Sequence, residues 1–88
     1  MEYRVWKYEL EPGVNEIELP YEAVPLSVGW QGRNVMMWVL VEHPGGRAKD
    51  KRKFLWIGTG HKFERHASPE FVGTVQDPSG FVWHVFEV

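Results

Sequence analysis

"FVGTVQDPSGFVWHVFEV", residues 71–88, decides the fold class. Two runs of β-branched and aromatic residues flank Asp77-Pro78-Ser79-Gly80. Asp suits the first position of a type I turn, Pro presets φ at the second, and Gly accepts the left-handed position of a bulge. The pattern predicts a hairpin that pairs Phe71–Gln76 with Phe81–Val88. With Asp77 opposite Phe81, Val75 faces Trp83 and Gly73 faces Val85 on one side. Thr74 then faces His84, and Val72 faces Phe86, on the other. A slip of one residue would send each of these side chains to the opposite face.

Working outward, the rest of the chain repeats the same grammar and shows no sustained helical period. Five further strands are expected: Arg4 to Leu10, Asn15 to Leu19, Leu26 to Trp30, Val35 to Glu42 and Lys53 to Thr59. Glu11-Pro12-Gly13-Val14 fits a type II turn, in which Gly takes positive φ. Pro20 to Pro25 is a connection with room for one helical turn. Gln31-Gly32-Arg33-Asn34 turns the chain, "HPGG" (43–46) opens a basic loop, and Gly60 to Glu70 is a polar loop. The fold class is therefore all-β: about seven short, mostly antiparallel strands in a small sandwich or partly open barrel. The 88 residues make a single β domain, because a chain this short buries roughly 60–65% of its unfolded surface in one core.

Antiparallel sheets usually have one wet face, so their strands alternate. Val35-Met-Met-Trp-Val-Leu-Val41 does not, and Val82, Trp83, Val85, Phe86 and Val88 also place apolar groups on both sides. Five Trp, three Tyr and five Phe exceed what a minimal core needs. Either the central strands are covered on both sides by the fold, or a second subunit or partner covers one of them. The C-terminal strand, with one acid between Val82 and Val88, is a candidate free edge.

Hydrophobic residues at 43% and charged residues at 25% describe a globular chain. With no cysteine, a disulfide framework and thiolate metal sites are excluded. No apolar run approaches a membrane span of ~20 residues, and the charged, aromatic start is unlike a signal peptide. A cytoplasmic location and no membrane partner are expected. The net charge of −2 is unevenly spread: residues 1–25 hold six acids, and "RAKDKRK" (47–53) concentrates bases. That run is either a solvated loop or an electrostatic handle for phosphate or an acidic partner.

"GTGHKFERH", residues 58–66, raises three chemistries. It lacks the spacing of a phosphate-binding loop, and Pro69 disfavours the helix that a dinucleotide site needs. The glycines read as a strand end or bulge. His61, Glu64, His66 and His84 are metal ligands by type, but a five-residue spacing on a loop does not make rings converge. His43 beside Pro44 reads as a turn residue, and His84 as a packed histidine. No metal and no cofactor are expected. For catalysis, Ser27, Ser68 and Ser79 lack a nucleophile elbow, and Glu64 with His61 or His66 lacks an evident pocket. No catalytic residue is assigned, so a small hydrolase or metal-dependent enzyme has the least support.

Several blocks together resemble a family of short uncharacterised proteins encoded mainly by tailed bacteriophages. They are "VWKYEL" (5–10), "AVPLSVGWQ" (23–31), "MWVLVE" (37–42), "RKFLWIGTGH" (52–61) and the hairpin 71–88. The resemblance implies a phage or prophage origin and an accessory role, and it carries no activity. The leading expectation is a non-catalytic protein-interaction module that self-associates as a homo-oligomer or binds a virion or host protein. The alternative is single-stranded nucleic acid gripped by the basic loop and stacked on adjacent aromatics. Candidate contact residues are Arg47, Lys49, Lys51, Arg52, Lys53, Trp56, His61, Lys62, Arg65 and His84.

Overall fold

The structure is a computed structural model that describes residues 2–43, 49–64 and 69–88. It contains β1 (Glu2–Glu9), β2 (Gly13–Pro20), β3 (Val24–Gln31), β4 (Asn34–His43), β5 (Lys49–Gly58), β6 (Glu70–Gln76) and β7 (Val82–Glu87). They form two sheets with antiparallel pairings, sheet A in the order β1-β4-β3 and sheet B in the order β2-β5-β7-β6. The expected all-β fold of seven strands is the observed one, in its open-sandwich form.

The turns follow from their residues. Gly13 has φ 91°, as the type II turn requires, and Asn15 closes the corner by accepting from the Glu11 N–H at 2.8 Å. Gly80 has φ 93°, and the Asp77 N–H donates to the Phe81 carbonyl at 2.9 Å, which sets the expected register at Val75↔Trp83, Thr74↔His84 and Gly73↔Val85. The expected Val72↔Phe86 pair is replaced by Phe71↔Phe86, because a bulge lies between Phe71 and Gly73. The bulge lies beside a close tertiary contact: a Cβ on Gly73 would lie 2.7 Å from Val28 Cγ2, so β6 meets β3 there with no room for a side chain.

Three further expectations are corrected. The connection after β2 holds no helical turn; it is a tight turn with Glu22 in left-handed backbone (φ 62°) and the Ala23 N–H on the Pro20 carbonyl at 3.1 Å. The C-terminal strand is not an edge, because β7 lies between β5 and β6. The basic run is not all loop: from Lys49 onward it is the first half of β5.

β4 resolves the two-sidedness. Val35, Met37, Val39 and Val41 are buried and face sheet B, where Phe54, Trp56 and Val85 meet them in one core. Met36, Trp38 and Leu40 point the other way and are half-buried. The Cα envelope of 40 × 30 × 16 Å accommodates two layers about 10 Å apart, and among the described residues no further strand or helix lies over either outer face.

Candidate functional site

The cross-strand register places the exposed side chains in rows. On the outer face of sheet A, Val5, Leu40 and Val24 form one row across β1, β4 and β3. Beside it run Tyr3 with Glu42, and Lys7 with Trp38 and Ser27. Tyr3, Val5, Val24 and Leu26 are each about half exposed, and Trp6 at the β1 edge is 45% exposed. Lys7 Nζ donates to Gln31 Oε1 at 2.8 Å, spanning β4 from one edge of the sheet to the other. Asn34 Nδ2 donates to Glu9 Oε2 at 2.7 Å at the same end. The Trp38 ring lies against Gly29, where a Cβ would come within 3.0 Å of it. A polar strap therefore crosses one end of the face, and the Val5–Leu40–Val24 row lies beyond it.

Sheet B has a smaller apolar row on its outer face. Val14, Leu55, Phe86 and Phe71 are aligned by register, and Phe63 reaches the Phe86 ring at 5.4 Å between centroids.

Three of the basic residues lie near acids. Lys51 is opposite Glu18 and Lys53 opposite Glu16 on the outer face of sheet B, so the acids of β2 answer the bases of β5. Arg52 points inward. Its Nε and Nη2 donate to Glu87 Oε2 and Oε1 at 2.6 and 2.8 Å, and Nη1 donates to the Ala23 carbonyl at 2.6 Å. The hydrogen bond to Glu87 raises the Arg52 pKa, its burial opposes this, and nearby carboxylates reinforce it. Arg52 thus fastens β5 to β7 and to the turn before β3.

The aromatics beside the basic run are core. Phe54 is fully buried and Trp56 is 4% exposed, edge-on to Trp30 and Trp83, so neither offers a stacking platform. His84 sits on the outer face of sheet B between two hydroxyls, with Thr59 Oγ1 2.7 Å from Nε2 and Thr74 Oγ1 3.0 Å from Nδ1. Both ring nitrogens are engaged, as for a packed histidine. Lys49 and Lys62 are exposed. Arg47, Arg65 and His66 lie outside the described residues, as does the side chain of His43.

The Gly-Thr-Gly-His block ends β5 and turns, with the His61 N–H on the Gly58 carbonyl at 3.1 Å and Gly60 at φ 84°. The His61 ring lies over Gly58, where a Cβ would be 3.0 Å from it. A surface hollow of about 220 Å³ is lined by Gly58, Thr59, His61, Phe81, Val82 and Trp83. It is smaller than the ~300 Å³ at which small-molecule sites begin. Among the described residues no three His, Asp or Glu gather to hold a metal ion, and no helix is long and apolar enough to cross a membrane.

The structure therefore does not bring the sequence candidates into one site. Lys49, Lys51 and Lys53 share a face, Arg52 and Trp56 face the interior, and His61 and His84 stand on opposite sides of sheet B. The surface that sequence reading missed residue by residue is the Val5–Leu40–Val24 row. Its signal was present in the unbroken apolar run of β4, but the flanking strands could be placed only with the register known.

Over residues 1–88 the chain matches the family described as Domain of unknown function (DUF7352), and it belongs to that family. No curated protein and no solved structure matches it.

Proposed function

We propose that this member of the DUF7352 family is a non-catalytic protein-interaction module that docks through sheet A. In this reading it is a phage accessory protein that works in the host cytoplasm, and its partner is its own copy, a virion component or a host factor. The observation that carries the proposal is the outer row Val5–Leu40–Val24 with Tyr3 and Leu26 beside it. Apolar surface that is contiguous across three strands marks interaction sites. The nucleic-acid alternative gains no support from the arrangement of Lys51 and Lys53 against Glu18 and Glu16, or from the burial of Phe54 and Trp56.

The test is co-purification of two differently tagged copies, and of any third protein, from producing cells, with wild type and Val5→Glu/Val24→Glu compared side by side. Both sites are about half exposed, so the variant is expected to fold with an unchanged melting curve and to lose the companion. A companion retained by the folded variant, or none captured by wild type, would sink the assignment.

A further inference from the structure

We propose that β1 is a homodimerisation edge, on which β1 of a second copy pairs antiparallel about a two-fold axis at Val5. The two copies of sheet A would join into one six-stranded sheet. This deepens the interaction-module reading and rests on it, since it names the partner and the contact.

The strand order leaves four edges: β1 and β3 in sheet A, and β2 and β6 in sheet B. β3 carries Pro25 and a register break, and β6 carries Gly73 and another. These two are also pressed together at Val28 and Gly73. β2 ends in Pro20, and a symmetric pairing centred on Glu16, Ile17 or Glu18 sets glutamate against glutamate or abuts a proline. Bulges, prolines and like charges are the means by which sheets protect their edges. β1 has none of the first two. It pairs with β4 through eight consecutive residues without a shift and contains neither Gly nor Pro.

Lysine on an edge strand is a further guard, but the Lys7 ammonium is drawn back over the sheet to Gln31. The backbone is oriented for pairing. The Leu10 N–H donates to the Val35 carbonyl across to β4. Successive residues of a strand turn their N–H and C=O groups to alternate sides. Tyr8, Trp6 and Arg4 therefore point theirs at β4, while Lys7 and Val5 point theirs away from it.

A two-fold axis perpendicular to a sheet keeps each face on its own side, so opposed residues must share a face. Centred on Val5, the register sets Val5 against Val5, Tyr3 against Lys7, Arg4 against Trp6 and Glu2 against Tyr8 of the second copy. No like charges oppose one another, and each arginine meets an indole, a favourable pairing. Centring on Arg4 or Lys7 opposes two cations. Centring on Trp6 sets Lys7 against Val5 and interrupts the apolar face. The Val5 register instead makes that row continuous: Val24, Leu40 and Val5 of one copy run into Val5, Leu40 and Val24 of the other.

The chain has no cysteine, so single cysteines report contacts without interference. Val5→Cys should form a disulfide-linked dimer several-fold faster than Glu16→Cys on the β2 edge, under conditions where light scattering shows wild type to be dimeric. Trp6→Cys should crosslink no faster than Glu16→Cys. Val5→Pro, which removes an N–H pointing away from β4, should give a monomer. A dimeric wild type in which Val5→Cys crosslinks no faster than Glu16→Cys would overturn the edge assignment and leave the interaction-module reading intact. Faster crosslinking at Trp6 than at Val5 would overturn the register. A wild-type monomer at every concentration would remove the second copy as partner, with the hetero-partner form of the reading then decided by the co-purification experiment.

Discussion

Asp77 organises its turn through both carboxylate oxygens. Oδ1 accepts from the Ser79 and Phe81 N–H groups at 2.8 and 3.1 Å, and Oδ2 accepts from Trp83 Nε1 at 3.0 Å. The Trp83 hydrogen bond, with help from the backbone N–H groups and against a smaller opposing effect of desolvation, holds this carboxyl below the usual aspartate pKa. A depressed folded-state pKa contributes stability that is present above the unfolded value of ~3.9 and is lost as pH falls through the lower folded value. Wild type is therefore expected to melt higher than Asp77→Asn at neutral pH, and the gap should narrow progressively as pH falls below ~4. Calorimetric melts of both proteins across that range check it; a gap independent of pH would remove the charged carboxylate from the account. Residues of this kind were legible because their chemistry is local: Asp77, Gly80 and Gly13 announce their turns. Glu22 was not legible. Its left-handed backbone is imposed by the tight return from β2 to β3, and no property of a glutamate signals it.

Strands were legible for the same reason at the next scale. Turn residues punctuate β-branched and aromatic runs, so all seven elements could be placed from local pattern. What failed was non-local. β5 begins four residues before its expected start because Lys49-Asp50-Lys51-Arg52 carries no apolar signal, and its partner β2 lies some thirty positions upstream. The glycine beside the bulge in β6 likewise answers to a distant residue, because Val28, in the other sheet, leaves no space for a side chain at Gly73. Gly73→Ala is accordingly expected to destabilise the fold by about 1–3 kcal/mol, the range for overpacking a filled site. Combined with Val28→Ala, which removes the obstructing methyls, the loss should be smaller than the sum of the two single losses. Denaturant unfolding of the four proteins in the cycle measures this; strict additivity would mean that Val28 is not what fills the space at Gly73.

Over the whole molecule, the charge asymmetry of the sequence becomes a complementarity within one sheet. Acids from the first quarter of the chain and bases from its middle meet as Glu16↔Lys53 and Glu18↔Lys51. Opposed charges on a sheet face contribute roughly 0.2–1 kcal/mol per pair, less in salt. Lys51→Glu/Lys53→Glu is expected to lower the melting temperature, more at low ionic strength than at high. Adding Glu16→Lys/Glu18→Lys should restore it. Thermal melts in the two salt conditions decide the matter; no rescue would mean that the bases serve something outside the chain. Strand order could not be read from the sequence, which is why the last strand looked like an edge. Its true position has a consequence for how the domain is made. β7 is the final strand of the domain to be synthesised, yet it lies between β5 and β6, bonds to Arg52 through Glu87, and supplies Val85 to the core. Until it emerges from the ribosome, β6 has no neighbour within its sheet and Arg52 lacks Glu87. Sheet B can therefore be completed only once β7 has been made, and joining β7 to β5 is the kind of long-range closure that slows the folding of β proteins.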